Sequence, residues 1–374
     1  DGSLDTSFGT SGLVTTNFAG TSELANAVTV DALGRIVVVG NSIVGGYNDV
    51  AVARYNADGT LDASFDNDGM VIHSVGFTDS ARDVVVDGEG RIVIVGQRGN
   101  GGNADTCVIR LNSNGSLDTS FNGQGWVSDS FGMSAGASGV QIGTSLAIDA
   151  DGKIVVGGYG STGANDNVFV LRFNSNGTLD TTFNSSGRKA IDLGGSGVDE
   201  VGRIVLDDQG RILIIGTDTT NNEVGLVRLT TTGDLDATFG TGGKANTTGL
   251  SGSFTAADLR LQDDGKIVIV GTSSNDFAVF RFNADGTLDT SFDSDGLATY
   301  DGGFNDSLSG VFLNSSGQVV AVGTSNDGSE NRATVVRFNS DGSLDTSFFA
   351  PRNSLDGNPT FVEDGAAVVL DADV

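Results

Sequence analysis

The hydrophobic residues of this chain fall in short runs separated by polar or glycine-rich turns. An apolar run at 27–31 leads through a tight turn into a more apolar run at 35–40, and the run at 50–56 alternates apolar with polar residues. No window shows helical apolar spacing of useful length, and β-branched residues flanked by Gly, Asn and Asp dominate the runs. The pattern predicts an all-β chain.

A five-residue motif, Leu-Asp-x-(Ser/Thr)-Phe, occurs seven times along the chain. Its phenylalanines are Phe8, Phe65, Phe121, Phe183, Phe239, Phe292 and Phe348. The spacings are 57, 56, 62, 56, 53 and 56 residues, so the motifs enclose six units, and each unit contains four strand patterns. Four-stranded units that repeat in this way predict a six-bladed β-propeller of antiparallel blades over residues 1–348.

The two chain ends suggest how the predicted propeller closes. The polar strand after each motif is expected at the outer edge of its blade, where it meets water. The sixth unit has strand patterns at about 307–313, 318–323 and 332–339 but no outer strand, whereas Leu13–Phe18 is an outer strand without a blade. We therefore expect Leu13–Phe18 to complete the last blade.

The amino-acid composition excludes several classes of binding partner and metal site. The chain has 48 acidic residues against 20 Lys and Arg, a formal net charge of -28, which disfavours nucleic acid and anionic lipid surfaces. A lone Cys107 excludes an intrachain disulfide, and a single His73 excludes a His-rich zinc site. No apolar stretch approaches the roughly 20 residues of a membrane span, so membrane insertion is not expected.

Two stretches carry a resemblance to known families. The run Asn-x-Asp-Gly-Thr-Leu-Asp-x-Ser-Phe, with Gly-Arg-Ile-Val-Val-Val-Gly upstream, resembles the delta-60 repeat of large bacterial secreted and surface proteins. That resemblance covers residues 1–348 and implies a propeller at an extracellular or cell-surface location, without implying any chemistry. Residues 353–374 are similar to the opening of a cadherin-like repeat of bacterial adhesins. We expect 349–374 to be a linker and the first strand of a truncated following domain, with other domains of the same large chain as partners.

Catalytic chemistry is not indicated by the residues present. Nucleophilic triads need a base beside Ser or Cys, yet His73 lies on a predicted outer strand and Cys107 inside a repeat strand. With 48 acids in the chain, two neighbouring carboxylates are expected by chance. We therefore predict that the protein is not an enzyme.

One arginine recurs in every unit, two residues before the Asn/Thr-x-x-Gly turn. The six are Arg54, Arg110, Arg172, Arg228, Arg281 and Arg337. We expect each to pair with the aspartate of the following motif or with nearby carbonyls, and the motif phenylalanine to be buried between blades. The aspartates are Asp62, Asp118, Asp180, Asp236, Asp289 and Asp345.

Calcium is the candidate cofactor. The turn Asn56-x-Asp58-Gly59-x-x-Asp62 aligns with part of an oxygen-rich calcium loop, but Arg54 stands where the first carboxylate is required. These turns are therefore interpreted as Asx-turn hairpins. The acidic loops at 66–69 and 293–296 remain alternatives. At the junction with the cadherin-like segment, the candidate ligands are Glu363, Asp364, Asp371 and Asp373.

Ligand binding is expected on the face where the units differ, formed by the loops that enter the first strand and those between the second and third strands. Aligning the units stacks four carboxylates of six at the predicted channel mouth, which favours a cation, a basic ligand or a sugar. The alternative is that an acidic protein exposes acids everywhere. The candidate binding residues on this face are Glu23, Tyr47, Asp79, Phe131, Tyr159, Asp199, Phe254 and Asp306.

Together these features predict a non-enzymatic binding or spacing module of a large extracellular, adhesin-like bacterial protein that binds a glycan or a protein. One alternative is a structural subunit that assembles with copies of itself through the C-terminal strand. Another is a calcium-dependent enzyme acting on polysaccharide. Soluble ligand-binding monomers, concentration-dependent polymers and product release from polysaccharide distinguish the three.

Overall fold

The computed structural model describes most of the chain up to the last motif. The described ranges are 4–18, 20–99, 103–131, 139–161, 166–193, 199–218, 223–246, 254–303, 305–326 and 328–348.

The regular structure of these residues consists of 23 β-strands, which come four to a repeat unit until the last unit. The strands are β1 Glu23–Val30, β2 Ile36–Val44, β3 Tyr47–Tyr55, β4 Met70–His73, β5 Asp79–Val86, β6 Ile92–Gly99, β7 Ala104–Leu111, β8 Trp126–Asp129, β9 Gln141–Ile148, β10 Ile154–Ser161, β11 Asp166–Phe173, β12 Arg188–Ile191, β13 Asp199–Leu206, β14 Ile212–Asp218, β15 Glu223–Leu229, β16 Lys244–Asn246, β17 Phe254–Leu261, β18 Ile267–Ser273, β19 Asp276–Phe282, β20 Leu297–Tyr300, β21 Ser307–Leu313, β22 Val319–Asn326 and β23 Asn331–Phe338.

The strands form six sheets, one for each repeat unit. Five sheets have four strands joined in sequence order, such as β1-β2-β3-β4, and the sixth is β21-β22-β23. Neighbouring strands are antiparallel, and the strand that follows each motif lies at a sheet edge. The predicted all-β, six-bladed propeller is confirmed. Within the described ranges, no helix is long and apolar enough to cross a bilayer.

The predicted strands of the sixth unit are also present, as β21, β22 and β23. The fourth strand that we expected from Leu13–Phe18 is not shown, because residues 14–18 have no strand assignment. Closure of the last blade by the N-terminal segment therefore stays a prediction.

The chain divides into two compact units by its internal contacts. One contains residues 4–206 with 231–234, and the other contains 207–230 with 235–348 among the described residues. In the first unit, one apolar core joins the first two sheets and another joins the second and third. In the second unit, a core packs the fifth sheet against the sixth. The cores consist mainly of Val, Ile and Phe from the two central strands of each sheet.

The recurring arginine forms the predicted ion pair in every blade. In each case Nε donates to Oδ2 of the aspartate eight residues later, at 2.7 or 2.8 Å. The guanidinium also lies over the motif phenylalanine, with the carbon of Arg54 4.7 Å from the ring centre of Phe65. A second polar side chain, such as Lys153 on Asp180 at 2.8 Å, supports several of these carboxylates. The arginine is thus a structural residue of the blade.

The same arginine links each of the first five blades to the next. Arg54 Nη1 donates to the carbonyl oxygen of Ser113 in the following blade, and Arg281 does the same to Ser340, both at 2.5 Å. The other three acceptors are the carbonyls of Ser175, Thr231 and Ala284. The motif phenylalanines of these five blades are fully buried, as predicted.

Glycine in the facing turn permits this packing. Gly233 has φ = 90°, and a Cβ at this position would lie 2.8 Å from the ring of Phe183 in the preceding blade. Glycine is therefore required both for its backbone conformation and for the close approach of the ring.

Candidate functional site

The candidate binding residues on the first strands occupy equivalent places in the fold. Glu23, Asp79, Asp199 and Phe254 are the first residues of β1, β5, β13 and β17, and Asp306 directly precedes β21. The alignment of the units therefore corresponds to equivalent strand positions in the fold.

The aspartates of this column point back into the loops that precede their strands. Asp79 Oδ2 accepts the amides of Val75 and Gly76, each at 2.7 Å. Asp306 Oδ2 accepts the amide of Gly302 at 2.5 Å, and Asp199 and Glu23 cap their own loops similarly.

This orientation corrects the expectation that the aspartates line an open channel mouth. Asp79 is 0% exposed and Asp306 is 3% exposed. Burial is the main reason why the pKa of Asp79 is raised, and the charge of Asp49 raises it further. The aspartates stabilise the loop face, while ligand contact by this column stays a prediction.

Two candidate aromatic residues also differ from the expected exposure. Phe254 is buried against Phe280, with the rings edge to face and their centres 4.8 Å apart. Phe131 is partly buried against Phe169, at 5.2 Å between ring centres. Large apolar rings at these positions fill gaps between strands, so neither is a freely exposed contact.

Tyr159, on β10, is intermediate in exposure. Burial raises the pKa of its phenol, the negative charge of Glu200 raises it further, and Arg82 opposes the shift. The environment of Tyr159 therefore contains charges of both signs, and these three residues are too far apart in the sequence to be grouped from it.

Tyr47 is the candidate that the structure places most openly. It begins β3, directly after the turn from β2, and is 55% exposed. The ring of Phe77, from the loop before β5, is 62% exposed and lies 6.4 Å from the Tyr47 ring at an interplanar angle of 63°. Two variable loops from adjacent blades thus form one exposed aromatic pair, which we call the aromatic pair.

Three acidic residues lie close together in the second compact unit, at the start of β19, after β20 and before β21. Carboxylate oxygens of Asp276, Asp301 and Asp306 lie within 4.8 Å of one another. Only Asp306 was a candidate in the sequence. Asp276 and Asp301 belong to the ends of other strands, so the grouping depends on the pairing of β18, β19 and β20.

Residues with intrinsic reactivity are placed unfavourably for catalysis. The Cys107 thiol is fully buried, and this burial raises its pKa well above the ordinary value, which disfavours the reactive thiolate. His73 Nε2 lies 3.2 Å from the carbonyl oxygen of Gly115, and burial lowers its pKa.

Among the calcium candidates from the sequence, the structure describes the repeat turn but not the C-terminal tail. Asp58 Oδ1 accepts the amide of Thr60 at 2.9 Å, while Asp62 binds Arg54, so this turn has the expected Asx geometry. The tail candidates Glu363, Asp364, Asp371 and Asp373 lie outside the described residues.

The sequence matches the model of one protein family in six places. The family is described as "Domain of unknown function (DUF5122) beta-propeller". Each match ends on a motif phenylalanine, and together the matches cover more than half of the chain. The matched residues are 34–65, 90–121, 150–183, 210–239, 262–292 and 315–348. No curated protein matches the sequence.

Solved structures share the fold at low sequence identity. A protein from Lactobacillus plantarum is 15% identical with a TM-score of 0.54, covering 86% of this chain and 83% of its own. A streptogramin B lyase is 14% identical with a TM-score of 0.50, covering 86% of this chain and 81% of its own. At these identities the similarity shows the fold alone.

Proposed function

The chain belongs to the DUF5122 β-propeller family, and we propose that it is a non-enzymatic binding module whose ligand surface is the variable loop face. The aromatic pair of Tyr47 and Phe77 is the observation that carries this proposal.

The residues that repeat in every blade maintain the fold, whereas the aromatic pair does not. The Arg, Asp and Phe of each blade are occupied with each other and with the next blade, so they maintain the fold. Tyr47 and Phe77 have no equivalent role, because more than half of each side chain is exposed. Exposed aromatic residues are enriched at binding surfaces, where they supply large contact area at low entropic cost.

The surroundings favour a particular ligand chemistry. An aromatic ring packs against the apolar face of a sugar or against an apolar side chain of a protein. The net charge of -28 disfavours strongly acidic ligands. A neutral or basic glycan, or a protein segment with basic and apolar residues, therefore fits this face.

The wider setting of the module is part of the same proposal. The resemblance to repeats of bacterial surface proteins supports an extracellular or cell-surface location within a large adhesin-like chain. The buried Cys107 and the half-buried His73 support a role without catalysis.

A glycan array, followed by titration of the strongest hit, tests the proposal. The variants Tyr47→Ala and Phe77→Ala are expected to weaken binding at least about tenfold, corresponding to the roughly 1.4 kcal/mol lost with one good contact. Leu33→Ala is the matched control, because Leu33 is an exposed apolar residue in the β1–β2 turn.

Equal binding by all three variants would show that the ligand surface lies elsewhere. Release of sugar products by the unmodified protein would contradict the non-enzymatic role. Each variant must first be shown to have the same melting temperature as the unmodified protein, so that a loss of binding is not a loss of folding.

A further inference from the structure

The acidic cluster of Asp276, Asp301 and Asp306 shares no residue with the aromatic pair and goes beyond the proposed function. It lies in the second compact unit, where Asp276 begins β19, Asp301 follows β20, and Asp306 precedes β21. Asp276 is partly buried, Asp301 exposed and Asp306 buried.

Within the described ranges, no Lys or Arg forms an ion pair with any of the three carboxylates. The described residues therefore leave the negative charge of the cluster unbalanced. Burial raises the pKa of Asp276, and the charges of Asp301 and Asp306 raise it further. Three like charges in one place favour the uptake of a proton or a cation.

The first and second blades together contain a counterpart of this site with a different charge balance. Asp49 and Asp79 hold the places of Asp276 and Asp306, but Ser74 stands in place of Asp301. Arg98 is the cross-strand partner of Asp79, and its Nε donates to the carbonyl of Val75 at 2.5 Å.

In the sixth blade, Ser325 replaces this arginine. Ser325 Oγ donates to the carbonyl of Gly302 at 3.0 Å, which is the equivalent bond without the positive charge. Relative to its counterpart, this site has therefore gained the carboxylate of Asp301 and lost the guanidinium of Arg98. A bound cation would restore the balance.

Asp306 supplies an independent sign of a missing partner. Its Oδ2 is held by the amide of Gly302, whereas its Oδ1 is buried and accepts no hydrogen bond from the described residues. A buried carboxylate oxygen without a partner is costly. Asp79 Oδ1 has the same property, but there Arg98 lies opposite Asp79 on the neighbouring strand β6.

We propose that Asp276, Asp301 and Asp306 bind one divalent cation of the size of Ca²⁺. Calcium binds oxygen ligands at about 2.3–2.6 Å, so two ligands on opposite sides of the ion are separated by about 5 Å. The oxygen separations of up to 4.8 Å in the cluster fit this span. Carboxylates from three strand ends would then join the fifth sheet to the loop that enters the sixth.

The test uses terbium as a luminescent calcium substitute with the full chain. Burial raises the pKa of the Tyr300 phenol, and the charges of Asp306 and Asp301 lie close enough to raise it further, so the Tyr300 ring is placed to sensitise a bound Tb³⁺ ion. We expect tyrosine-sensitised emission that Ca²⁺ displaces, and Tyr300→Phe should reduce this emission without changing the Ca²⁺ affinity measured by calorimetry. Emission that is independent of Tyr300 and not displaced by Ca²⁺ would overturn the proposal.

Asp301→Asn is the decisive variant, because Asp301 is exposed and its amide replacement should not disturb folding. We expect it to weaken Ca²⁺ binding at least about tenfold, since affinity follows the number of charged ligands. Asp263→Asn, which removes the same charge from an exposed turn before β18, should retain binding.

Equal Ca²⁺ affinity in Asp301→Asn and Asp263→Asn would refute the site. If Mg²⁺ or NaCl at matched ionic strength reproduced the calorimetric signal, the signal would come from charge screening and not from a specific Ca²⁺ site. Neither result depends on the aromatic pair, so the failure of this site and the failure of the proposed function are distinguishable.

Discussion

Arg54 donates its Nη1 to the carbonyl oxygen of Ser113 at 2.5 Å, while its Nε holds Asp62 at 2.8 Å. One buried guanidinium thus satisfies a carboxylate of its own blade and a turn of the next. Because four other blades repeat this relationship, its energetic weight can be measured at any of them.

Arg172→Met is expected to lower the free energy of unfolding by about 3 kcal/mol, because it leaves the buried Asp180 with Lys153 as its remaining cationic partner and removes the donor to the carbonyl of Thr231. Lys189→Met, on the edge strand β12 of the same sheet, should cost far less. Urea denaturation of both variants provides the measurement. Similar midpoints for the two variants would mean that Arg172 contributes no more to stability than Lys189 on the edge strand.

The same ion pairs predict instability in acid. Burial alone would raise the pKa of Asp180, but hydrogen bonds from Lys153 and Thr182 and the charge of Arg172 outweigh it and hold the pKa well below its usual range. A carboxyl group whose folded pKa is lowered stabilises the fold above its unfolded pKa of about 3.9 and loses this contribution as the pH falls.

In a series of urea denaturations from pH 7 to pH 2, the midpoint concentration of urea should therefore decrease once the pH is below about 4. Arg172→Met should show a shallower decline, since it lacks one of the interactions that lower the pKa of Asp180. Parallel profiles for the two proteins would contradict this assignment.

Gly233→Ala tests the contact between a turn and the preceding blade. The added Cβ would lie 2.8 Å from the ring of Phe183 in a backbone conformation with φ = 90°. We expect a loss of about 2–4 kcal/mol, from backbone strain and displacement of the ring. Gly34→Ala is the control for strain alone, because φ is 76° there and no atom lies within 4 Å. A loss no greater than that of Gly34→Ala would exclude the steric contribution.

Removal of residues 1–18 tests the role of the N-terminal segment. Within the first compact unit, Gly9 donates its amide to the carbonyl of Asp58 at 2.8 Å, and the hydroxyl groups of Thr16 and Tyr55 are 2.6 Å apart. Deletion should expose apolar residues of the first sheet, lower the melting temperature and promote aggregation. Differential scanning calorimetry with light scattering follows both effects. An unchanged melting temperature would show that the segment is dispensable.

The sequence was sufficient to predict the blades because the relevant signals are local and repeated. Arg172 and Asp180 are eight residues apart in a turn that occurs six times, so their pairing follows from the repeat. The orientation of Asp79 was not predictable, because the length of the preceding loop decides whether its carboxylate faces solvent or loop amides. The cluster that includes Asp276 and Asp301 was missed because these residues come from different strands. Comparison of the second and sixth blades position by position would have revealed the exchange of Arg98 for Ser325.

The arginine bonds between blades also bear on how the protein folds. Each joins groups separated by 56 to 65 residues, which is about one repeat. Cooperativity therefore spreads between nearest neighbours, as in a one-dimensional array, and folding can begin at more than one blade and propagate along the chain. Under mechanical tension, such a chain would extend in steps of about one repeat rather than in a single event.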